Sequence, residues 1–168
     1  MSGRGVPDAA QIDATGMQVV VIAGSWHEQI TDGLLAGAQR ALDAAGASWQ
    51  VVRVPGSFEL PVVTLAALNA GAEAAVALGV IIRGGTPHFD YVASAATDGL
   101  TRVALDTGKP VGFGVLTLDD EQQGLDRAGL PGSREDKGFE AAQTALQTAL
   151  SLRALRGDRY VAATILEC

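Results

Sequence analysis

Residues 79–91 read GVIIRGGTPHFDY, and in this stretch an apolar run gives way to two glycines, a threonine, a proline and a histidine. The β-branched apolar residues before Arg83 predict a strand that is buried on both faces. After the loop, Phe89, Val92 and Ala96 recur at the spacing of one helix face. A buried strand followed by a short loop and a helix is the repeating unit of parallel α/β folds.

The same unit recurs along most of the chain. Ser25 is placed to cap the first helix, and Pro87 suits the first turn of the third. An α/β fold is therefore predicted: a three-layer α/β/α sandwich with a four-stranded parallel sheet. Strands are expected at 17–24, 49–54, 75–83 and 110–117, and helices at 28–45, 58–71, 89–103 and 137–156.

The length and composition indicate one domain. With 168 residues and 48% apolar composition, the chain is long enough for one substantial core. We expect a single domain at 17–156, preceded by a flexible N-terminal arm at 1–16, where Gly, Pro, Asp and Ala occur without periodicity. Residues 157–168 are predicted to be a C-terminal extension, and the pattern does not indicate its role.

Charge and cysteine content exclude several classes of function. Twelve basic and nineteen acidic residues give a net charge of −7, so nucleic acid is not expected as a partner. Cys168 is the only cysteine, which excludes an intrachain disulfide and a multi-cysteine metal site. No segment resembles a signal peptide or reaches the length of a membrane span, so we expect a cytoplasmic protein with no membrane partner.

The loop in the opening stretch has the composition of an anion site. Ligands of an open parallel sheet bind at the carboxyl ends of its strands, where free N–H groups at the start of the next helix favour a phosphate. Gly85 permits close backbone approach, Thr86 adds a hydroxyl donor, and His88 can exchange protons near neutral pH. The alternative is an ordinary turn in which Thr86 caps a helix and His88 is a first-turn residue.

Two other strand-exit loops carry aromatic residues. In VPGSFELP, Phe58 could cover an aromatic ligand while backbone groups around Glu59 bind its polar edge, or both residues could simply start a helix. Trp26 in GSWH could stack on a flat heterocycle or belong to the core. His27 is predicted to be a surface residue.

Positive charge is scarce, which makes each candidate cation notable. The chain has only two lysines, Lys109 and Lys137. Arg127 could hold a phosphate through two parallel hydrogen bonds, or it could be a solvated helix arginine. No dinucleotide, P-loop, zincin or serine-hydrolase motif is present, and His88 with Asp90 does not make a metal site.

Taken together, five motifs resemble the lumazine synthase family. They are ALGVIIRGGTPHFDYV, VPGSFELP, PVGFGVLT, EQQGLDRAG and DKGFEAA, and the resemblance covers about 19–155. GSWH is similar to actinobacterial members, in which tryptophan replaces the more usual phenylalanine. The resemblance implies a flavodoxin-like fold and no metal or redox cofactor. It also implies condensation of 5-amino-6-(D-ribitylamino)uracil with 3,4-dihydroxy-2-butanone 4-phosphate to give 6,7-dimethyl-8-ribityllumazine, phosphate and water, the penultimate step of riboflavin biosynthesis.

The resemblance also implies roles for individual residues. His88 would be catalytic, as the group that moves protons. Gly85, Thr86 and Arg127 would bind the butanone phosphate. The pyrimidine and its ribityl chain would be bound by Trp26, Phe58, Glu59, Leu60, Val80, Ile81, Ile82, Phe113 and Lys137.

The family implies that these sites are shared between subunits. Phe113, Arg127 and Lys137 would come from a neighbouring subunit of a homopentamer, and the assembly could extend to a decamer or an icosahedral capsid of 60 subunits. Riboflavin synthase is a candidate partner. Gly85 departs from the pattern, because the family usually has glutamate or glutamine there, and weaker binding of the butanone phosphate is expected.

Two alternatives remain open at this point. The first is a non-catalytic member of the family that forms a cage or binds lumazine or riboflavin as a scaffold. The second is an aldolase-like enzyme that forms a Schiff base through Lys137.

Overall fold

The computed structural model describes residues 12–157. Within that range the chain forms four strands, five α-helices and one 3₁₀ turn at Ser57–Glu59. The strands are β1 (Gln18–Gly24), β2 (Ser48–Val54), β3 (Ala74–Ile82) and β4 (Val111–Leu118). The helices are α1 (Glu28–Ala44), α2 (Leu60–Asn69), α3 (His88–Thr107), α4 (Glu121–Leu125) and α5 (Lys137–Arg156).

The four strands form one parallel sheet in the order β2-β1-β3-β4. β1 pairs in register with β2 from Gln18 opposite Ser48, and β3 pairs with β4 from Ala75 opposite Val111. The central position of β1 and β3 explains their nearly continuous apolar sequence, because both faces of each strand are covered. The predicted four-stranded parallel sheet is confirmed.

Alternate residues of the central strands enter two separate cores. Val19 and Val21 of β1 belong to a core that α1 and α5 complete. Val20 and Ile22 point to the opposite face, where α2 and α3 complete a second core. Because side chains alternate across a strand, one sequence supplies both layers. The predicted three-layer α/β/α sandwich is therefore confirmed.

Helices α1 and α5 pack at very short range. A methyl group added at Gly138 would lie 1.9 Å from the carbonyl oxygen of Leu34. Beside this contact, the carboxylate of Asp136 caps α5 by accepting a hydrogen bond from the N–H of Phe139 at 3.0 Å. The same carboxylate forms an ion pair with Arg40 of α1 at 2.5 Å. The start of α5, which carries Lys137, is thereby fixed to α1.

The packed chain begins before Met17, so the predicted start of order at that residue is wrong. Ala14 is buried, and its N–H donates a hydrogen bond to the carbonyl oxygen of Ala45 at 2.8 Å. Residues 1–11 of the predicted arm lie outside the described residues, as do residues 158–168 of the predicted extension, which include Cys168. In the part that is described, no helix is both long and apolar enough to cross a membrane.

Candidate active site

A cavity of about 340 Å³ opens at the carboxyl ends of β1, β2 and β3. It brings together most of the residues that the sequence motifs singled out. Leu60 is buried directly behind it without lining it, and Gly85 lies between the lining residues Gly84 and Thr86. The predicted site residues that line the cavity are Trp26, Phe58, Glu59, Val80, Ile81, Ile82, Thr86 and His88.

Trp26 and Phe58 stand on either side of the cavity mouth as exposed aromatic residues. Trp26 is 69% exposed and Phe58 is 63% exposed, which excludes the interpretation of Trp26 as a core residue in this chain. The backbone of Trp26 is fixed, because its carbonyl oxygen accepts a hydrogen bond from the hydroxyl of the buried Thr31 at 2.7 Å. An indole held in this way presents a free face to a flat ligand.

His27, which is predicted from the sequence to lie at the surface, also lines the cavity. It is half-buried, and its ring lies 6.4 Å from that of Trp26. His27 starts α1 in the left-handed conformation, with φ of 55°, and is the only non-glycine residue with positive φ among those described. Such backbone strain is concentrated at functional sites. No sequence signal marks this conformation, because histidine adopts it only occasionally.

Ser25 does not cap α1, contrary to the prediction. Its hydroxyl instead donates a hydrogen bond to the carbonyl oxygen of Val54, at 2.9 Å, at the end of β2. This bond joins the exit loops of β1 and β2. It holds the loop that carries Trp26 against the loop that carries Phe58.

Glu59 braces the exit loop of β2. Its Oε2 accepts a hydrogen bond from the N–H of Gly56 at 3.0 Å, which closes the turn that carries Phe58. The carboxylate is therefore engaged with its own loop.

The exit loop of β3 presents free N–H groups to the cavity. Pro87 precedes the helix as its N-cap, with φ of −67°, rather than occupying the first turn as predicted. Among residues 12–157, the backbone N–H groups of Thr86, His88 and Phe89 donate no hydrogen bond to another backbone group. Free N–H groups at the start of a helix of this length form a ready anion site.

Gly85 is not required by the backbone conformation. Neither Gly84 nor Gly85 has a positive φ, and a methyl group added at either would meet no atom within 4 Å. A larger side chain at 85 therefore fits the loop of a single chain without strain.

Phe113, Arg127 and Lys137 do not line this cavity in their own chain. Phe113 is 46% exposed on the edge strand β4, where it lines a separate groove with Leu105 of α3. Arg127 donates a hydrogen bond to the carbonyl oxygen of Gln123 at 2.8 Å. Lys137 is held between Glu135 and Glu140, with N–O distances of 2.8 and 2.7 Å.

The surroundings of Lys137 keep its amine charged. Partial burial disfavours the ammonium, but the carboxylates of Glu135 and Glu140 outweigh this effect and raise the pKa of Lys137 above its ordinary value. In return, Lys137 lowers the pKa of Glu135. A protonated lysine is not a nucleophile, which argues against a Schiff base at this residue.

Within residues 12–157, no group of three or more His, Cys, Asp or Glu side chains could hold a metal ion. The cavity lining contains neither lysine nor arginine in the described part of the chain. An anionic ligand therefore depends on helix N–H groups and on any cation that another molecule supplies.

A parallel sheet with helices on both faces, and a cavity at the carboxyl ends of its strands, is the architecture of a flavodoxin-like α/β protein with its ligand site at that edge. The family model for 6,7-dimethyl-8-ribityllumazine synthase matches residues 16–153, and the chain therefore belongs to this family.

Full-length relatives agree with the family model. The chain is 75% identical over 158 residues to the 6,7-dimethyl-8-ribityllumazine synthase of Leifsonia xyli subsp. xyli, with 94% of this chain and 100% of the relative covered. It is 70% identical to that of Clavibacter sepedonicus, with 94% and 99% covered. It is 60% identical to that of Kineococcus radiotolerans, with 91% and 95% covered. The predicted fold class and family are confirmed, and so is the prediction that the chain is an enzyme, a transferase of the lumazine synthase family.

Proposed function

We propose that this chain condenses 5-amino-6-(D-ribitylamino)uracil with 3,4-dihydroxy-2-butanone 4-phosphate to give 6,7-dimethyl-8-ribityllumazine, phosphate and water. The observation that carries the proposal is the composition of one cavity. It joins an exposed indole, an exposed imidazole and a free helix N-terminus within about 340 Å³. These are the groups needed to stack a flat ring, to move protons and to hold a phosphate.

The pyrimidine binds beside Trp26 in this proposal. The indole covers one face of the ring, and Phe58 closes the mouth of the cavity. The backbone around Glu59 and Leu60 binds the polar edge. The apolar exit of β3, Val80–Ile82, forms the floor along which the ribityl chain lies, with Lys137 of a neighbouring subunit near it.

The butanone phosphate binds at the start of α3. Free N–H groups near Gly85 and Thr86 hold the phosphate, and the hydroxyl of Thr86 adds a donor. The family resemblance implies that the guanidinium of Arg127 comes from an adjacent subunit, and the absence of arginine and lysine from the chain's own cavity lining supports this assignment. A bidentate guanidinium contact suits a phosphate better than an ammonium does.

His88 moves protons during the reaction. The amine of the pyrimidine attacks the ketone, and loss of water gives a Schiff base. Phosphate elimination and ring closure, the second of which releases another molecule of water, each require a further proton transfer. An exposed imidazole at the rim of the cavity can accept and return these protons. Holding both substrates in contact contributes the remaining acceleration.

The exposed apolar surface supports an oligomer. Val62 of α2 is 66% exposed and Leu105 of α3 is 77% exposed. Within residues 12–157, Phe113 lies on an edge strand of the sheet that pairs only with β3. Large exposed apolar side chains near a site mark an interaction surface. We place Phe113, Arg127 and Lys137 in the site of the next subunit of a homopentamer, and mass photometry distinguishes a pentamer from a decamer or a 60-subunit capsid.

Catalysed turnover separates this proposal from a non-catalytic scaffold. The purified protein is mixed with both substrates, and the lumazine product is followed by its absorbance. We expect a rate well above that of the uncatalysed condensation. A rate equal to the uncatalysed one, from protein that is still oligomeric, would establish the scaffold instead.

Gly85→Gln is expected to lower the KM for the butanone phosphate by about fivefold, the effect of one added hydrogen bond. The side chain has room at this position and no backbone strain opposes it. Steady-state kinetics with varied butanone phosphate measure the change. Gly85→Ala is the matched control, because it removes the glycine without adding an amide. A KM for Gly85→Gln that equals or exceeds that of the wild type would contradict the prediction.

A further inference from the structure

Arg83 lies at the junction between β3 and the loop that carries His88. Its N–H donates a hydrogen bond to the carbonyl oxygen of Leu118 at 2.8 Å, so its backbone continues the pairing of β3 with β4. Its position is therefore fixed by the sheet. The side chain extends from this fixed point over the start of α3.

The guanidinium of Arg83 makes three contacts with two different elements. Its central carbon lies 4.1 Å from the centre of the Phe89 ring. Its Nη1 lies 3.5 Å from Oδ1 of Asp90, also in the first turn of α3. Its Nε donates a hydrogen bond to Oδ1 of Asp119, just after β4, at 3.1 Å. Only the planar guanidinium can stack on a ring and bind two carboxylates at its edges.

Few other contacts fix residues 84–88, the loop that the Arg83 side chain spans. Residues 84–88 are exposed, and a methyl group at either glycine would meet nothing within 4 Å. Two adjacent glycines give such a loop wide conformational freedom. Phe89, which the guanidinium covers, itself lines the cavity next to His88.

We propose that Arg83 is a positioning residue that fixes the first turn of α3, and with it His88 and the phosphate loop, against the exits of β3 and β4. The catalytic part of this inference rests on the proposed function. Arg83 does not line the cavity and acts through residues that do. Arg83 determines how His88 is oriented. The rate of a bimolecular condensation depends strongly on the orientation of the catalytic group.

Amide hydrogen exchange tests the positioning directly and does not depend on turnover. In Arg83→Ala, the hydrogen-bonded amides at the start of α3 are expected to exchange about fivefold faster than in the wild type. These are the amide of Asp90, which donates to the carbonyl oxygen of Pro87 at 3.1 Å, and the helical amides of residues 92–95. Arg102→Ala is the matched control, because Arg102 forms an exposed ion pair with Asp106 farther along the same helix. It should leave these rates unchanged. Unchanged exchange at Asp90 and at residues 92–95 in Arg83→Ala would overturn the inference.

Kinetics test whether the positioning acts through His88. Arg83→Ala is expected to lower kcat about tenfold, and Arg83→Lys, which keeps the charge but not the planar stacking, should fall between it and the wild type. In a His88→Ala background the same substitution should change kcat less than twofold. A full tenfold loss in that background would assign Arg83 a separate role. If the wild type itself shows no turnover, the proposed function fails, while the exchange result still decides the positioning.

Discussion

His88→Ala lowers kcat by about a hundredfold, while the KM of each substrate changes little. The imidazole is exposed at the rim of the cavity, so its removal should cost little packing and leave the fold intact. The lost rate then reflects proton transfers in Schiff-base formation, elimination and ring closure. Stopped-flow or steady-state absorbance of the lumazine product measures the change.

Arg102→Ala is again the control for His88→Ala, because it alters an exposed residue of the same helix far along the chain from the cavity. His88→Gln tests the chemical role, since an amide keeps hydrogen bonding but cannot shuttle a proton at neutral pH. It should be as slow as His88→Ala. A His88→Gln variant with nearly wild-type kcat would mean that the imidazole only binds substrate.

Gly138→Ala destabilises the fold by about 3 kcal/mol. The added methyl group would lie 1.9 Å from the carbonyl oxygen of Leu34 and 2.7 Å from its Cα, so it meets the backbone of α1 rather than a flexible side chain. Helices α1 and α5 must then separate, although alanine is the better helix former. Thermal unfolding should show a melting temperature lower by roughly 10 °C.

Gly85→Ala is the control for this effect, because the same methyl group there meets no atom within 4 Å. Its melting temperature should stay within a few degrees of the wild type. Equal melting temperatures for Gly138→Ala and the wild type would show that α1 and α5 are not packed as closely as described.

The sheet could be predicted from sequence because its signals are local. β1 and β3 are apolar runs that end at Gly24 and just before Gly84, and their bounds differ from the prediction by one or two residues. The three-layer arrangement then follows from the alternation of strands and helices. Helix α5 has the predicted bounds, since its N-cap Asp136 and its apolar spacing are both visible in the sequence.

Local signals failed where a distant residue decides the outcome. The position of Ser25 shortly before α1 predicts that it caps this helix. The sheet instead brings the carbonyl oxygen of Val54, at the end of β2, within hydrogen-bond distance of the Ser25 hydroxyl. Ala14 is buried because its backbone pairs with that of Ala45, thirty-one positions away. His27 lies in the short loop that connects β1 to α1. Its left-handed backbone conformation depends on how that loop joins the two elements, which the local sequence does not show.

For three of the predicted site residues, the proposed function requires a contact with a neighbouring subunit. Phe113, Arg127 and Lys137 lie away from the cavity of their own chain, and only the family resemblance suggested their roles. The distribution of charge is consistent with a site shared between subunits. The cavity lining contains no lysine or arginine, and the whole chain has only twelve such residues. The shared site is thus the central claim of the proposed function.

Subunit mixing tests the shared site most directly. His88→Ala should lower kcat about a hundredfold, and Arg127→Ala should raise the KM for the butanone phosphate about thirtyfold, so both are expected to be slow at low concentrations of that substrate. Co-expression of the two variants as mixed oligomers, assayed at such a concentration, should restore about a quarter of the wild-type activity, because that share of interfaces joins an intact His88 to an intact Arg127. Activity no higher than the average of the two parents would contradict the account, since a site within one chain cannot be repaired by mixing.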